Sequence, residues 1–217
     1  MAELTGNEKR KASCKKVGGE KKRGGHSLEK VFDEAVGVCS TSTSTKPEAD
    51  CTIVAGSERG KALVETLEKT FGPLSSLHCS LKSGNNLQFT LGNIPEITNV
   101  EKKIEAMSQR SLWEKYLGKS KSNKPAELLV YYDKTSWIFF MMSDVIDYIV
   151  KDCKWRLLET GRLKGDFDDA SKKGFSQYLT YEYRPTHKSY FLGANGGKGK
   201  PWITLLMSKL KYVKTLI

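Results

Sequence analysis

The stretch from Leu128 to Leu158, LLVYYDKTSWIFFMMSDVIDYIVKDCKWRLL, restricts the fold of this chain more than any other. Two apolar, aromatic-rich runs, Leu128 to Tyr132 and Trp137 to Met141, are strand-like in length and flank the turn pair Asp133-Lys134. Asp144 to Lys151 then repeats apolar residues at helical spacing, and Trp155 to Leu158 returns to a strand. Two strands, a helix and a strand in so short a span specify a sheet of mixed character with helices packed on it. The fold class expected is therefore α/β in the α+β sense.

The remaining periodic segments agree. HSLEKVFDEAVG repeats Leu28, Val31, Phe32, Ala35 and Val36 at helical spacing, with Ser27 as a cap and Gly37 as a stop. CSTSTSTKPEA is a polar loop, and ADCTIVAG a short strand with Asp50 at its mouth. Gly60 to Phe71 forms a second helix closed by Gly72-Pro73. A third, capped by Asn99, is expected to run from Val100 past Trp113 to Gly118. GRLKGDFDDASKKG reads as a polar turn region between the strand at Trp155 to Leu158 and a strand pair, Gln177 to Tyr183 and Ser189 to Leu192. A glycine-rich tip, GANGGKGKP, precedes Trp202 to Met207.

Charge narrows the partners. The chain of 217 residues carries 36 Lys and Arg against 25 Asp and Glu, a net charge of +11. That surplus favours a polyanion, either nucleic acid or an anionic membrane surface. It is concentrated at the ends: eight basic residues fall before Gly25, and seven follow Glu182 with no acid among them. Residues 1–25 lack apolar side chains to bury and are expected to form a disordered basic tail. The five cysteines have no CxxC pair and no Cys/His cluster at metal-ligand spacing, so reduced thiols are expected and a zinc module is not. No apolar run reaches the roughly 18 residues of a membrane span, and no signal-peptide pattern is present. A soluble, intracellular protein is expected, in the cytoplasm or, for a eukaryotic host or its virus, the nucleus.

One segment looks chemical rather than structural. In CSLKSGNNLQFTLGN, residues 79–93, a short alternating run delivers Lys82 at its end, and four small polar residues follow. On a strand, Ser80 and Lys82 point to the same face. Upstream lie a helical acid, Glu29, and an acid at a strand start, Asp50. Carboxylates that hold Mg2+, beside an ammonium that orients a metal-bound water, are the parts of metal-assisted phosphodiester hydrolysis.

The order GGHSLEKVF, PEAD, SLKSGNNLQF resembles the core of the PD-(D/E)xK nucleases, type II restriction endonucleases in particular. SYFLGANGGKGKPWITLLM resembles the basic Gly-rich hairpin that closes small four-base-cutting members. The resemblance implies a restriction-endonuclease-like central mixed sheet flanked by helices, with a C-terminal antiparallel hairpin region. It implies a single endonuclease domain over 26–217, with a catalytic core at about 26–118 and a DNA-recognition part at about 126–210. Asp50 matches the metal-binding acid, Lys82 the catalytic lysine, and Glu29 the supplementary helical acid, with Glu48 able to assist Asp50. Ser80 stands where the pattern has Asp or Glu, and the helix between Asp50 and Lys82 is a second departure. The activity implied is sequence-specific, Mg2+-dependent cleavage of double-stranded DNA; a homodimer and a cognate methyltransferase acting on the same site are compatible partners.

Expected DNA contacts are Ser83, Asn85, Asn86 and Gln88 around the polar step, and Asn195, Lys198 and Lys200 at the glycine-rich tip. Asn can bridge adenine, and lysine can hold phosphate or read guanine. The polar step equally suits a hairpin turn. The Tyr178, Tyr181 and Tyr183 run suits sheet packing better than base stacking. The alternative functions are a non-catalytic basic DNA-binding protein that keeps the nuclease fold, and an RNA-binding module, which leaves Asp50 to Lys82 unexplained.

Overall fold

The computed structural model describes residues 28–36, 51–84, 87–92, 94, 100–117, 126–167, 179–184, 189–194 and 199–216. The architecture is mixed α and β, with two five-stranded sheets and six helices among the described residues. The expected tail at 1–25 and the loop after Gly37 lie outside them.

The first sheet has the strand order β1-β2-β4-β5-β10, formed by Cys51–Thr52, His78–Ser83, Leu128–Tyr132, Ser136–Met141 and Val213–Leu216. β1 runs antiparallel to β2, with Cys51 opposite Cys79. β2 runs parallel to β4, which then turns through Asp133 into antiparallel β5. Asp133 fixes that turn, its carboxylate accepting from Thr135 and Ser136 through both backbone N–H and hydroxyl groups. Burial opposes its ionisation, but these four hydrogen bonds outweigh burial and hold the group well below the usual carboxylate range.

Both faces of this sheet are covered, by different layers. Helix α1 (residues 28–36) and α2 (Glu58–Phe71) lie over Cys79, Leu81, Val130, Trp137 and Phe139. Phe32 meets the Trp137 ring edge-on at 4.7 Å. α2 is capped by Ser57, whose Oγ accepts from Gly60 N, and stops at Gly72 with φ +89. On the opposite face, Leu129, Tyr131, Ile138 and Phe140 join the larger core, shared with the second sheet and helices α3 to α6.

The second sheet is fully antiparallel, in the order β3-β9-β8-β7-β6: Gln88–Gly92, Ser189–Gly193, Leu179–Arg184, Leu163–Phe167 and Cys153–Leu157. β6 follows directly from α5 (Met142–Asp152). Several elements differ from the sequence reading. β2 and β3 do not pair with each other but belong to different sheets, so the Ser-Gly-Asn-Asn step joins two sheets rather than closing a hairpin. The expected third helix is two, α3 (Val100–Met107) and α4 (Arg110–Tyr116); the buried Trp113 indole donates to the Met107 carbonyl at 2.9 Å and satisfies that group at the break.

β7 lies inside the expected turn region. The Gly-rich C-terminal hairpin is replaced by β9 followed by helix α6 (Gly199–Lys209), with Pro201 in the first turn, where a missing N–H is harmless. The thiol expectation holds for Cys79 and Cys153, which are not in a disulfide, and fails at Cys51, which is disulfide-bonded. No helix of the described residues is long and apolar enough to cross a membrane.

Candidate functional site

The seam where β2 hands the chain to the second sheet gathers the chemistry that the described residues offer. Along β2, Cys79 and Leu81 point into the layer under α1 and α2. Ser80 and Lys82 take the opposite phase, in register with Leu129 and Tyr131 of β4. Ser80 is 7% exposed, and the row continues through Leu129 to Phe140, so its hydroxyl sits in a mostly apolar setting. Lys82 is half-buried, its ammonium 5.0 Å from the centroid of the Phe89 ring. That placement holds a cation against an aromatic face at partial desolvation, where the attraction exceeds its value in open water. Phe89 is itself supported edge-on by Trp202 of α6.

Gly84 turns the chain out of β2 with φ +74, a left-handed backbone that side chains rarely adopt. The Tyr131 hydroxyl donates to the Gly84 carbonyl at 2.9 Å and pins this exit. Burial, with Asp133 nearby, raises the Tyr131 pKa and keeps its proton in place for that bond. Sequence reasoning missed Tyr131 because it lies inside an apolar run; its place in the Lys82 row depends on the parallel β2/β4 register, which no local pattern encodes.

The expected site residues divide three ways. Ser80 and Lys82 share one face, as the alternation requires, and Ser83 follows, exposed, at the strand end. Gln88 opens β3 in the opposite phase to Phe89. Glu29 is not brought to them. Its helix seats Phe32 against Trp137 and Phe139 of β5, on the far face of the sheet and two strands, about 10 Å, from β2. Asp50, Glu48, Asn85, Asn86, Asn195 and Lys198 lie outside the described residues. Lys200 falls in the first turn of α6 rather than at a hairpin tip.

This arrangement bears on Mg2+. Among the described residues, no group of three or more His, Cys, Asp or Glu side chains is placed to hold a metal ion. Ser80 offers a neutral, buried oxygen, and the Glu29 helix occupies the other layer, so these two do not form a hard-cation site with Lys82.

A second polar node supports the seam from behind. Glu127, just before β4, accepts hydrogen bonds from the backbone N–H groups of Ser75, Ser76 and Leu77 and from both serine hydroxyls. Burial disfavours its charge, but the hydrogen bonds prevail and lower its pKa. The loop that launches β2 is thereby tied to β4, which fixes the level of Lys82 against Tyr131. No protein-family model, no curated protein and no solved structure matches this chain.

Proposed function

We propose that this chain is a Mg2+-dependent endodeoxyribonuclease that cuts duplex DNA at a short sequence, in the manner of a type II restriction enzyme. The observation that carries the reading is the strand pairing: the strand immediately after Asp50 runs antiparallel beside the strand that carries Lys82. β2 in turn runs parallel to the strand reached through α3 and α4. The nuclease resemblance expects an acid-bearing strand beside a lysine-bearing strand, and the pairing of Cys51–Thr52, directly after Asp50 in sequence, with β2 supports that reading.

Lys82, half-buried against Phe89, would orient the attacking water or meet the scissile phosphate. Mg2+ belongs to this reading through Asp50 and Glu48, where a divalent ion supplies charge neutralisation and an acidified water. Glu29 is left out of the metal set because its helix packs on the opposite face.

A second reading, a non-catalytic basic DNA-binding protein with a nuclease-like sheet, is favoured by Ser80, a buried hydroxyl in the row of Leu129 and Phe140 where the nuclease pattern has an acid. Supercoiled plasmid incubated with the protein and Mg2+ separates the two. Discrete fragments that disappear in Lys82→Ala support the nuclease. A mobility shift without cutting supports the binder, and neither cutting nor shift overturns both.

A further inference from the structure

We infer that Cys51 and Cys79 form a thiol–disulfide exchange pair, an alternative disulfide site that ties β1 to β2 in place of the bond Cys51 makes elsewhere. The inference does not depend on the nuclease reading. Its starting point is an asymmetry between two facing cysteines. Cys51 is disulfide-bonded, whereas Cys79, its partner in the β1–β2 register, is not in a disulfide. The third described cysteine, Cys153, is not in a disulfide either. The bond from Cys51 therefore leads outside the described residues, where the remaining cysteines of the chain, Cys14 and Cys39, lie.

The register sets the separation. Ile53 N donates to the Leu77 carbonyl at 3.1 Å, which makes Ile53 and Leu77 a hydrogen-bonded pair of the antiparallel ladder. Pair type alternates along such a ladder, so Cys51 and Cys79, two steps on, are again of the hydrogen-bonded type, with Cα atoms about 5.5 Å apart. A disulfide spans Cα separations of roughly 4.4–6.8 Å. Both side chains leave the sheet on one face, into the layer under α1 and α2. The Cys79 sulfur also leans toward β1: its thiol donates at 3.5 Å to the Leu77 carbonyl, the same oxygen that receives the Ile53 N–H.

Facing cysteines in a core can be packing alone. What sets this pair apart is that one of them already carries a bond that a neighbouring thiolate cleaves. The step is an isomerisation. The Cys79 thiol gives its proton to solvent base, and the thiolate sulfur attacks Cys51 Sγ. The Cys51–Cys79 bond forms as the bond from Cys51 to its former partner breaks. That partner's sulfur leaves with the electron pair and takes up a proton, so no oxidant or reductant is consumed.

Burial selects the attacking group. Cys51 is 1% and Cys79 0% exposed, which keeps external thiols out while the neighbouring one is already in place. β1 is an edge strand of two residues, and local opening of so short an edge costs far less than global unfolding and lets the proton escape. After exchange, β1 is anchored covalently to the strand that carries Lys82, three residues beyond Cys79.

The test is disulfide mapping by mass spectrometry. The full chain, isolated with its disulfide intact, is incubated at mildly alkaline pH and quenched with N-ethylmaleimide before digestion. Trypsin followed by cleavage after Glu48 places Cys39, Cys51 and Cys79 in separate peptides. A Cys51–Cys79 peptide is expected to build up with first-order kinetics, independent of protein concentration, to within about tenfold of the starting bond. Cys14 or Cys39 should become alkylated in step. In Cys79→Ser the starting bond should persist; where that variant fails to fold, Cys79→Ala takes its place with the same expectation. Cys153, buried in the second sheet, is the internal control and should stay out of every bond. Absence of the Cys51–Cys79 peptide from the native protein overturns the inference. So does loss of the starting bond in the Cys79 variant at the wild-type rate, or a Cys153-linked peptide at equal yield, which marks scrambling of unfolded chains. DNA cutting does not enter this readout, so failure of either reading leaves the other standing.

Discussion

The central strands of the first sheet, β4 and β5, are covered on both faces, whereas those of the second keep one face for the core and present the other to charged and polar residues. β4 and β5 run Leu128 to Tyr132 and Ser136 to Met141 with scarcely an exposed side chain, between the helical layer of α1 and α2 and the large shared core. β7 reads Leu163, Gly165 and Phe167 inward and Lys164 and Asp166 outward. The contrast separates rigidity from access: the doubly buried sheet can hold Lys82 at a fixed level, while the half-open sheet can offer a surface to a large ligand.

The sharpest way to break that contrast is to empty the doubly buried layer. Trp137 is 1% exposed, stacked on Tyr132 and met edge-on by Phe32. Trp137→Ala is expected to cost about 4 kcal/mol, read as a lowered midpoint in urea unfolding. Next in size is Glu127→Ala, which removes the acceptor of three backbone N–H groups and should cost about 2 kcal/mol.

The sign of the pH effect follows from the same carboxylate. Glu127 and Asp133 both have pKa values lowered in the fold. Their stabilisation is complete above the unfolded carboxylate pKa of about 4 and is lost as pH falls below it. A melting-temperature profile from pH 7 to pH 3 should decline below about pH 4 and flatten in Glu127→Gln.

In the second sheet, a methyl group at Gly165 would stand 2.3 Å from Cys153 Sγ. Gly165→Ala should therefore cost roughly 1–3 kcal/mol, and part of the loss should return in the Cys153→Ala background, as thermal unfolding of the single and double variants would show. The smallest effect is expected at the surface: Arg110, paired with Glu114 and Asp147 on α4 and α5, is about half exposed. Arg110→Gln should shift stability by no more than about 1 kcal/mol.

The doubly buried sheet was also the more legible one. Its central strands β4 and β5 are nearly unbroken apolar runs, their turn carries Asp133, and α2 is bounded by a cap and a glycine, so local chemistry and fold agree. The half-open sheet was legible only in part. β7 alternates correctly, but its inward centre is a glycine, small because Cys153 and Trp155 fill that space, and its outward residues are charged, so it resembles a turn. α6 carries Trp202, Ile203 and Thr204, residues common in strands, although the buried set Trp202, Ile203, Leu205 and Leu206 has helical spacing. Within the candidate site, the shared face of Ser80 and Lys82 follows from strand period alone. The Tyr131 contact and the displacement of Glu29 to the other layer depend on sheet order and helix packing, which are long-range outcomes that no single stretch encodes.

The proposal that Lys82, held by the first sheet, acts on duplex DNA is tested most directly by measuring cutting and binding side by side in the wild type and one variant. Lys82→Ala should abolish Mg2+-dependent plasmid cleavage while keeping wild-type duplex affinity and salt slope. Cleavage by Lys82→Ala at the wild-type rate would contradict that reading.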